Sequence, residues 1–92
     1  MMVNKRDVSA GSYFLTDSNQ LRKVTFVGLN EHGVMVVHYL SKSALIKMRK
    51  FDFAHTKNCP PTIDSFICSC GRLLDGEEIE RLRAENIILQ DE

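Results

Sequence analysis

The stretch LRKVTFVGLNEHGVMVVHYL, residues 21–40, decides the fold, because two strand-forming runs flank a short turn in it. Residues 21–29 and 34–40 are rich in β-branched and aromatic side chains, which favour strands. The intervening NEHG, residues 30–33, is typical of a turn, and Gly33 can adopt a positive φ. We therefore predict an antiparallel hairpin over residues 21–40.

The first of these strands carries apolar side chains on both of its faces. Val24 and Phe26 have one parity, whereas Leu21 and Val27 have the other. This pattern is expected of a strand in a small closed barrel, or of one that a helix covers.

Upstream of the hairpin, SYFLT (residues 12–16) predicts another short strand, and DSNQ (residues 17–20) predicts a turn. The spacing of strands and turns over residues 11–40 resembles the opening strands of small SH3-like barrels, including Tudor-like and KOW-like modules. This resemblance covers about a third of the chain and rests on strand spacing, so no binding residue is carried over from it. It implies a small SH3-like barrel or a strongly curled antiparallel sheet.

The segment SKSALIKMRKFDFAH, residues 41–55, fits two structures. As a helix, it would have Ser43 as its N-cap and would place Ala44, Leu45, Met48 and Phe51 on one face. As a strand, it shows two alternating apolar pairs that are out of phase, which requires a bulge or a bend. The strand is favoured for residues 45–53.

The last third of the chain begins with a boundary and ends with a helix. CPPT, residues 59–62, cannot continue a regular element, because two prolines remove two hydrogen-bond donors. SFICSC, residues 65–70, is predicted as a short strand. DGEEIERLRAEN, residues 75–86, predicts a helix with Asp75 as its N-cap and Ile79 and Leu82 on an apolar stripe. Residues 87–89 are expected to pack on the sheet or to add an edge strand.

Length and composition indicate one globular domain over residues 1–92, mainly β with one C-terminal α-helix. The net charge of zero hides a division between two parts. Residues 1–60 hold nine basic and four acidic residues, whereas residues 61–92 hold three and eight. We expect a basic β-sheet part over residues 1–58 and an acidic part with the helix over residues 62–92. The two parts either attract each other within the fold or form separate interaction surfaces.

The sequence also points to a cellular compartment. No apolar run approaches the roughly 18 residues of a membrane span. MMVNKRDVSAGS, residues 1–12, has basic residues without a following apolar block, so no signal peptide is expected. The odd count of three cysteines makes a disulfide framework improbable. We therefore expect reduced thiols, a cytoplasmic location and no membrane partner.

One histidine and all three cysteines fall in HTKNCPPTIDSFICSC, residues 55–70. His55, Cys59, Cys68 and Cys70 have the number and type of ligands of a tetrahedral zinc site. A C-x-C pair is an uncommon spacing for such sites, and buried cysteines that pack as small apolar residues are the favoured alternative. Zinc is accordingly a candidate cofactor, and no cofactor is the default expectation.

The same residues allow a thiol enzyme, with Cys59 as the nucleophile and His55 as its base. No acid partner, oxyanion-stabilising element or substrate cleft can be named from the sequence. We therefore expect a non-enzymatic protein, with a zinc-stabilised module or a thiol enzyme as the second alternative.

Nucleic-acid binding is the first alternative, because basic residues concentrate in the first part of the chain. The candidates for phosphate contacts are Arg22, Lys23, Lys42, Lys47, Arg49 and Lys50. Tyr13, Tyr39 and Phe51 would stack on bases if they were exposed.

The favoured function is an accessory module that binds another protein or a second copy of itself. The chain is short, carries no recognisable reaction chemistry and offers a sheet face and an acidic helix as contact surfaces. Small proteins of phages and mobile gene cassettes often have this character. The apolar residues 87–89 make a homodimer one form of this module.

Overall fold

The fold was taken from a computed structural model, which describes residues 4–53 and 60–92. A short 3-10 helix, Lys5–Asp7, precedes a small sheet and two helices. The strands are β1 (Tyr13–Leu15), β2 (Gln20–Leu29), β3 (Met35–Ser43), β4 (Asp52–Phe53) and β5 (Arg72–Leu73). The helices are α1 (Ile63–Ser69) and α2 (Gly76–Ala84).

The predicted hairpin is confirmed, since β2 and β3 pair antiparallel from Gln20 opposite Ser43 to Leu29 opposite Met35. In the turn, the Asn30 side-chain oxygen accepts hydrogen bonds from the backbone N–H groups of His32 and Val34. Gly33 has a φ of 77°, which is the positive φ expected for this glycine in the turn. The predicted strand at residues 12–16 is also present, as β1.

The sheet is antiparallel and open, with the order β4-β3-β2-β1-β5. Its two edge strands are each two residues long and do not pair with one another. Within the part of the chain that the structure describes, the sheet is therefore not closed into a barrel, and an SH3-like barrel is not confirmed.

Both faces of the sheet are covered, which explains the apolar residues of both parities in β2. The pairing shifts between Val24 and Phe26, so a bulge lies at Thr25. On one face α1 and the N-terminal segment complete a first core cluster of Val8, Phe14, Val24, Val37, Ile63, Phe66 and Cys70. On the other face α2 and the C-terminal segment pack on a second cluster of Tyr13, Leu21, Phe51, Leu74, Ile87 and Ile88.

The strand predicted for residues 45–53 is wrong for all but its last two residues. Instead, β3 continues to Ser43, and residues 44–51 turn away from the sheet. The reason is that two backbone N–H groups of this segment donate to acceptors outside the sheet. The N–H of Ala44 donates to the Asn19 carbonyl, and that of Met48 donates to the Asn86 carbonyl, each over 2.8 Å. Neither donor is left for a strand ladder.

The strand predicted for residues 65–70 is also wrong, because this segment lies in helix α1. Thr62 caps the helix through its side-chain oxygen, which accepts from the Ser65 N–H over 3.2 Å. Ile63, Phe66 and Cys70 follow at helical spacing and are buried in the first cluster. The apolar stripe of this segment thus has the period of a helix once Ile63 is counted as its start.

The C-terminal helix is confirmed as α2. The Asp75 carboxylate accepts from the Glu78 N–H over 2.8 Å, as the predicted N-cap requires. Ile79 and Leu82 pack against the second cluster, and Ile87 and Ile88 are buried in it. Among the described residues, neither helix has the length and apolar character that crossing a bilayer demands.

Candidate functional site

The six basic residues predicted to contact phosphate do not form one surface. Three of them belong to the hairpin, where Arg22 and Lys23 are half-buried and Lys42 is buried. The other three, Lys47, Arg49 and Lys50, are exposed on the segment that follows β3. Only this second group offers several free cationic side chains close together in the chain.

Lys42 is a structural cation, with a relative exposure of 5%. Its ammonium group donates to the backbone carbonyls of Arg49, over 2.6 Å, and of Ile87, and lies 6.0 Å from the centre of the Phe51 ring. Burial lowers the pKa of Lys42, the neighbouring Glu92 carboxylate opposes that shift, and Arg49 adds to it. This burial removes Lys42 from the surface that we expected to contact phosphate.

Arg22 and Lys23 lie over aromatic rings on opposite faces of β2. The Arg22 guanidinium is 4.9 Å from the centre of the Tyr39 ring, and the Lys23 ammonium is 5.6 Å from that of Tyr13. Such cation–π contacts hold each cation against the sheet.

The aromatic rings proposed to stack on bases are largely unavailable for that role. Tyr13 and Phe51 are buried in the second cluster with their ring centres 6.0 Å apart. Tyr39 is half-buried between Arg22 and Phe66. Stacking on a base needs an open ring face, which the buried Tyr13 and Phe51 do not provide, and the Arg22 guanidinium lies over the Tyr39 ring.

Residues 45–50, LIKMRK, form what we call the basic loop. Beside its three cations, the loop carries three apolar side chains that are unusually exposed: Leu45 is 75% exposed, Ile46 42% and Met48 70%. A contiguous apolar patch that is rimmed by polar groups marks an interaction site more often than a chance surface.

The backbone on and beside the basic loop is held at three points. Ala44 donates to Asn19 in the turn before β2, and Met48 donates to Asn86 behind α2. The carbonyl of Arg49 accepts from the buried ammonium group of Lys42. Met48 also has a φ of 61°, a conformation that non-glycine residues adopt rarely and that these contacts maintain. The loop therefore presents its side chains from a fixed backbone.

A second exposed apolar patch lies at the far end of the hairpin. It consists of Phe26, Leu29, Val34 and Met35, which are 52%, 64%, 42% and 39% exposed. Phe26 packs over Gly28, where an added Cβ would lie 2.6 Å from its ring. It also meets His38 edge to face at 5.5 Å. This patch has no cations within it.

The predicted zinc ligands are only partly described. His55 and Cys59 lie outside the described residues. Cys68 is exposed on α1, whereas Cys70 is buried, and its thiol donates to the Ile67 carbonyl over 3.5 Å. Burial is the main cause that raises the pKa of the Cys70 thiol. Within residues 4–53 and 60–92, no group of three or more His, Cys, Asp or Glu side chains is arranged to hold a metal ion.

Comparison with protein-family models, with curated proteins and with solved structures gives no significant match. The features that bear on function are therefore those of the protein's own surface.

Sequence reasoning found the cations of the basic loop but missed its apolar members. As a helix, the segment would place Leu45 and Met48 on an apolar face, and such a face in a small domain usually enters the core. The signal in the sequence is that three of the six residues in LIKMRK are basic and are mixed with the three apolar ones, which is unusual for a buried segment.

Proposed function

We propose that the protein is a non-enzymatic interaction module that binds another protein through the basic loop. The partner surface is acidic and contains an apolar recess, because it must accept cations and apolar side chains from one short loop. One observation carries the proposal: Leu45 and Met48 are 75% and 70% exposed on a loop whose backbone is fixed.

The energetics favour such an interface. Full burial of a Leu or Met side chain is worth about 2 kcal/mol, so each of the two anchors contributes roughly a 30-fold change in the dissociation constant. The surrounding cations add steering toward an acidic partner and select against basic ones. The fixed backbone lowers the ordering cost that a mobile loop would incur on binding.

A nucleic-acid function is supported by a narrower observation, the exposure of Lys47, Arg49 and Lys50 on one loop. It is the weaker candidate, because Lys42 is buried and Arg22 and Lys23 lie on opposite faces of β2, so the cations of the hairpin and of the loop do not form one surface for a nucleic acid. It also gives no role to the exposed Leu45 and Met48, which a protein partner would bury.

Selection from a random displayed peptide library tests the proposal. We expect enriched peptides that combine acidic with apolar residues and whose affinity falls by about two to three orders of magnitude in Leu45→Ser/Met48→Ser. The matched control is Leu29→Ser, which removes a similarly exposed leucine at the other end of the hairpin and should leave affinity unchanged.

The same variants separate the two functions. If single-stranded or duplex probes bind with a steep salt dependence, and Lys47→Ser/Arg49→Ser abolishes binding while Leu45→Ser/Met48→Ser does not, the loop is a nucleic-acid contact instead. A selection that yields no acidic and apolar consensus would remove the support for a protein partner at this loop.

Two further parts of the proposal concern the cellular location and the identity of the partner. We assign the module to the cytoplasm, because the odd cysteine count disfavours a disulfide framework. A second copy of the chain is an allowed partner, since the exposed carboxylates of Glu77 and Glu80 on α2 complement the loop in charge. Analytical ultracentrifugation over a concentration series tests for self-association, which would appear as a rise from the monomer mass to the dimer mass.

A further inference from the structure

A cleft of about 610 Å³ lies between the turn that joins β1 to β2 and the end of α1. Its volume is in the range of sites for small molecules, roughly 300–1,000 Å³. The groups that can bind a ligand there are the guanidinium groups of Arg22 and Arg72 and the hydroxyl groups of Thr16, Ser18 and Ser69. Asp17 lines the cleft as well and is exposed on the turn.

The Arg22 side chain is fixed in position before any ligand arrives. Its Nε donates to the Gln20 side-chain oxygen over 3.0 Å, and its Nη1 donates to the Ser69 hydroxyl over 3.1 Å. The guanidinium plane also contacts the rings of Tyr39, at 4.9 Å, and Phe66, at 6.0 Å. Strand β2 and helix α1 thus hold the same cation from two sides.

Every contact that fixes Arg22 is with a neutral group. Among the described residues, no carboxylate lies within 4.0 Å of its guanidinium nitrogens, whereas Arg72 in the same cleft is paired with Glu78 at 2.5 Å. No hydrogen bond from Nη2 of Arg22 to the described residues is present. The cation therefore keeps hydrogen-bond donors and its charge for another group.

The wall of the cleft is rigid at the point where α1 meets β1. Gly71 follows the helix with a φ of 77°. A Cβ there would lie 2.7 Å from the Thr16 Cα and 2.8 Å from the Leu15 carbonyl carbon. This close approach of two backbones sets the distance between the hydroxyl groups of the turn and Ser69.

We propose that this cleft binds a small molecule through a carboxylate or phosphoryl group of that molecule, and that the Arg22 guanidinium is the main hydrogen-bond donor to this group. A carboxylate is planar and a phosphoryl group is tetrahedral, but each presents two oxygens that can accept hydrogen bonds from the fork of an arginine. The hydroxyl groups of Thr16 and Ser18 lie at the same opening, with their oxygens 3.0 Å apart, and can donate to a second oxygen of the ligand. The site is separate from the basic loop and does not depend on the function proposed for it.

The test uses the full chain and follows backbone amides and the Arg22 Nε–H by two-dimensional NMR. Sodium phosphate and sodium acetate are titrated separately against sodium chloride at equal ionic strength. We expect saturable shifts of Arg22 Nε–H and of the Ser18 and Ser69 amides with at least one of the two anions. Saturation by phosphate alone identifies a phosphoryl ligand, and saturation by acetate alone identifies a carboxylate.

Arg22→Lys should weaken that binding at least tenfold, because lysine keeps the charge but loses the planar fork. The control Arg6→Lys changes an exposed arginine of the 3-10 helix and should leave the affinity unchanged. Identical shifts with chloride, or an Arg22→Lys variant that is folded and binds as the parent does, would overturn the proposal. If Arg22→Lys does not fold, the comparison of the three salts on the parent protein decides alone.

Discussion

The junction between α1 and β5 gives the sharpest test of the packing, through Gly71→Ala. Gly71 and Gly33 have the same φ, 77°, but different surroundings. A Cβ on Gly33 would meet nothing within 4 Å, whereas one on Gly71 would run into the backbone of β1 at Leu15 and Thr16. Gly33→Ala is therefore a matched control that carries the conformational cost without the collision.

The expected magnitudes follow from these two environments. A left-handed conformation costs an L-residue about 1–2 kcal/mol, and the lower entropy of the unfolded alanine chain returns about 0.4–1 kcal/mol. Gly33→Ala should thus lower the free energy of unfolding by about 1 kcal/mol. Gly71→Ala adds overpacking against backbone atoms, typically 1–3 kcal/mol, because neither strand nor helix can yield without breaking the β1–β5 pairing. Its total should reach about 2–4 kcal/mol.

Urea unfolding measures this difference directly. With a slope near 1–2 kcal/mol/M for a domain of this size, an additional 2 kcal/mol lowers the midpoint by about 1–2 M relative to Gly33→Ala. The slopes of the variants should agree with that of the parent, so that the shift reports stability alone. Equal midpoints for Gly71→Ala and Gly33→Ala would show that α1 does not approach β1 as the structure has it.

Four other predictions use the buried cation and the cysteines. As the pH rises toward 10.5, the parent should gain stability relative to Lys42→Met, because the lowered pKa of Lys42 means that unfolding takes up a proton. Above pH 9.0, the parent should lose stability relative to Cys70→Ala, because the raised pKa of Cys70 means that unfolding releases a proton. Urea titrations over an alkaline series measure both slopes, and parallel curves would contradict them. Iodoacetamide should modify Cys68 in the folded protein and Cys70 only in urea, as mapped by mass spectrometry of peptides. The Cys70 thiol is buried, so elemental analysis should find the same zinc content in the parent and in Cys70→Ala. If the parent holds one zinc per chain and Cys70→Ala holds none, that result would support a zinc site with His55 and Cys59.

Local sequence determined the elements whose signals are complete within a few residues. The β2–β3 hairpin needs its two strand-forming runs and a turn that Asn30 and Gly33 organise themselves. Helix α2 needs the Asp75 cap and the Ile79–Leu82 stripe, all of which lie within one segment. In both elements the local preference and the tertiary structure agree, so the prediction did not require distant contacts.

The elements that were mispredicted depend on residues far away in the chain. The path of residues 44–51 is set by acceptors at Asn19 and Asn86, whose proximity no local pattern reveals. For α1 the decisive residue was Ile63: when the segment is read from Ser65, its apolar residues alternate as in a strand, but when Ile63 is included they follow a helical period.

The same distinction governs the candidate sites. The sequence identifies which residues are cationic, but burial decides whether a cation can contact another molecule. Lys42 is buried, whereas Lys47, only five positions away, is exposed. The burial of Lys42 follows from strand geometry, since it pairs with the fully buried Leu21 and so lies at the second cluster. There the carbonyls of Arg49 and Ile87 accept hydrogen bonds from its ammonium group. Because one of those carbonyls belongs to the basic loop, the buried cation helps to fix the exposed ones. The loop and its support are therefore one arrangement, in which the buried ammonium group of Lys42 holds the backbone that exposes Lys47 and Met48 on the surface.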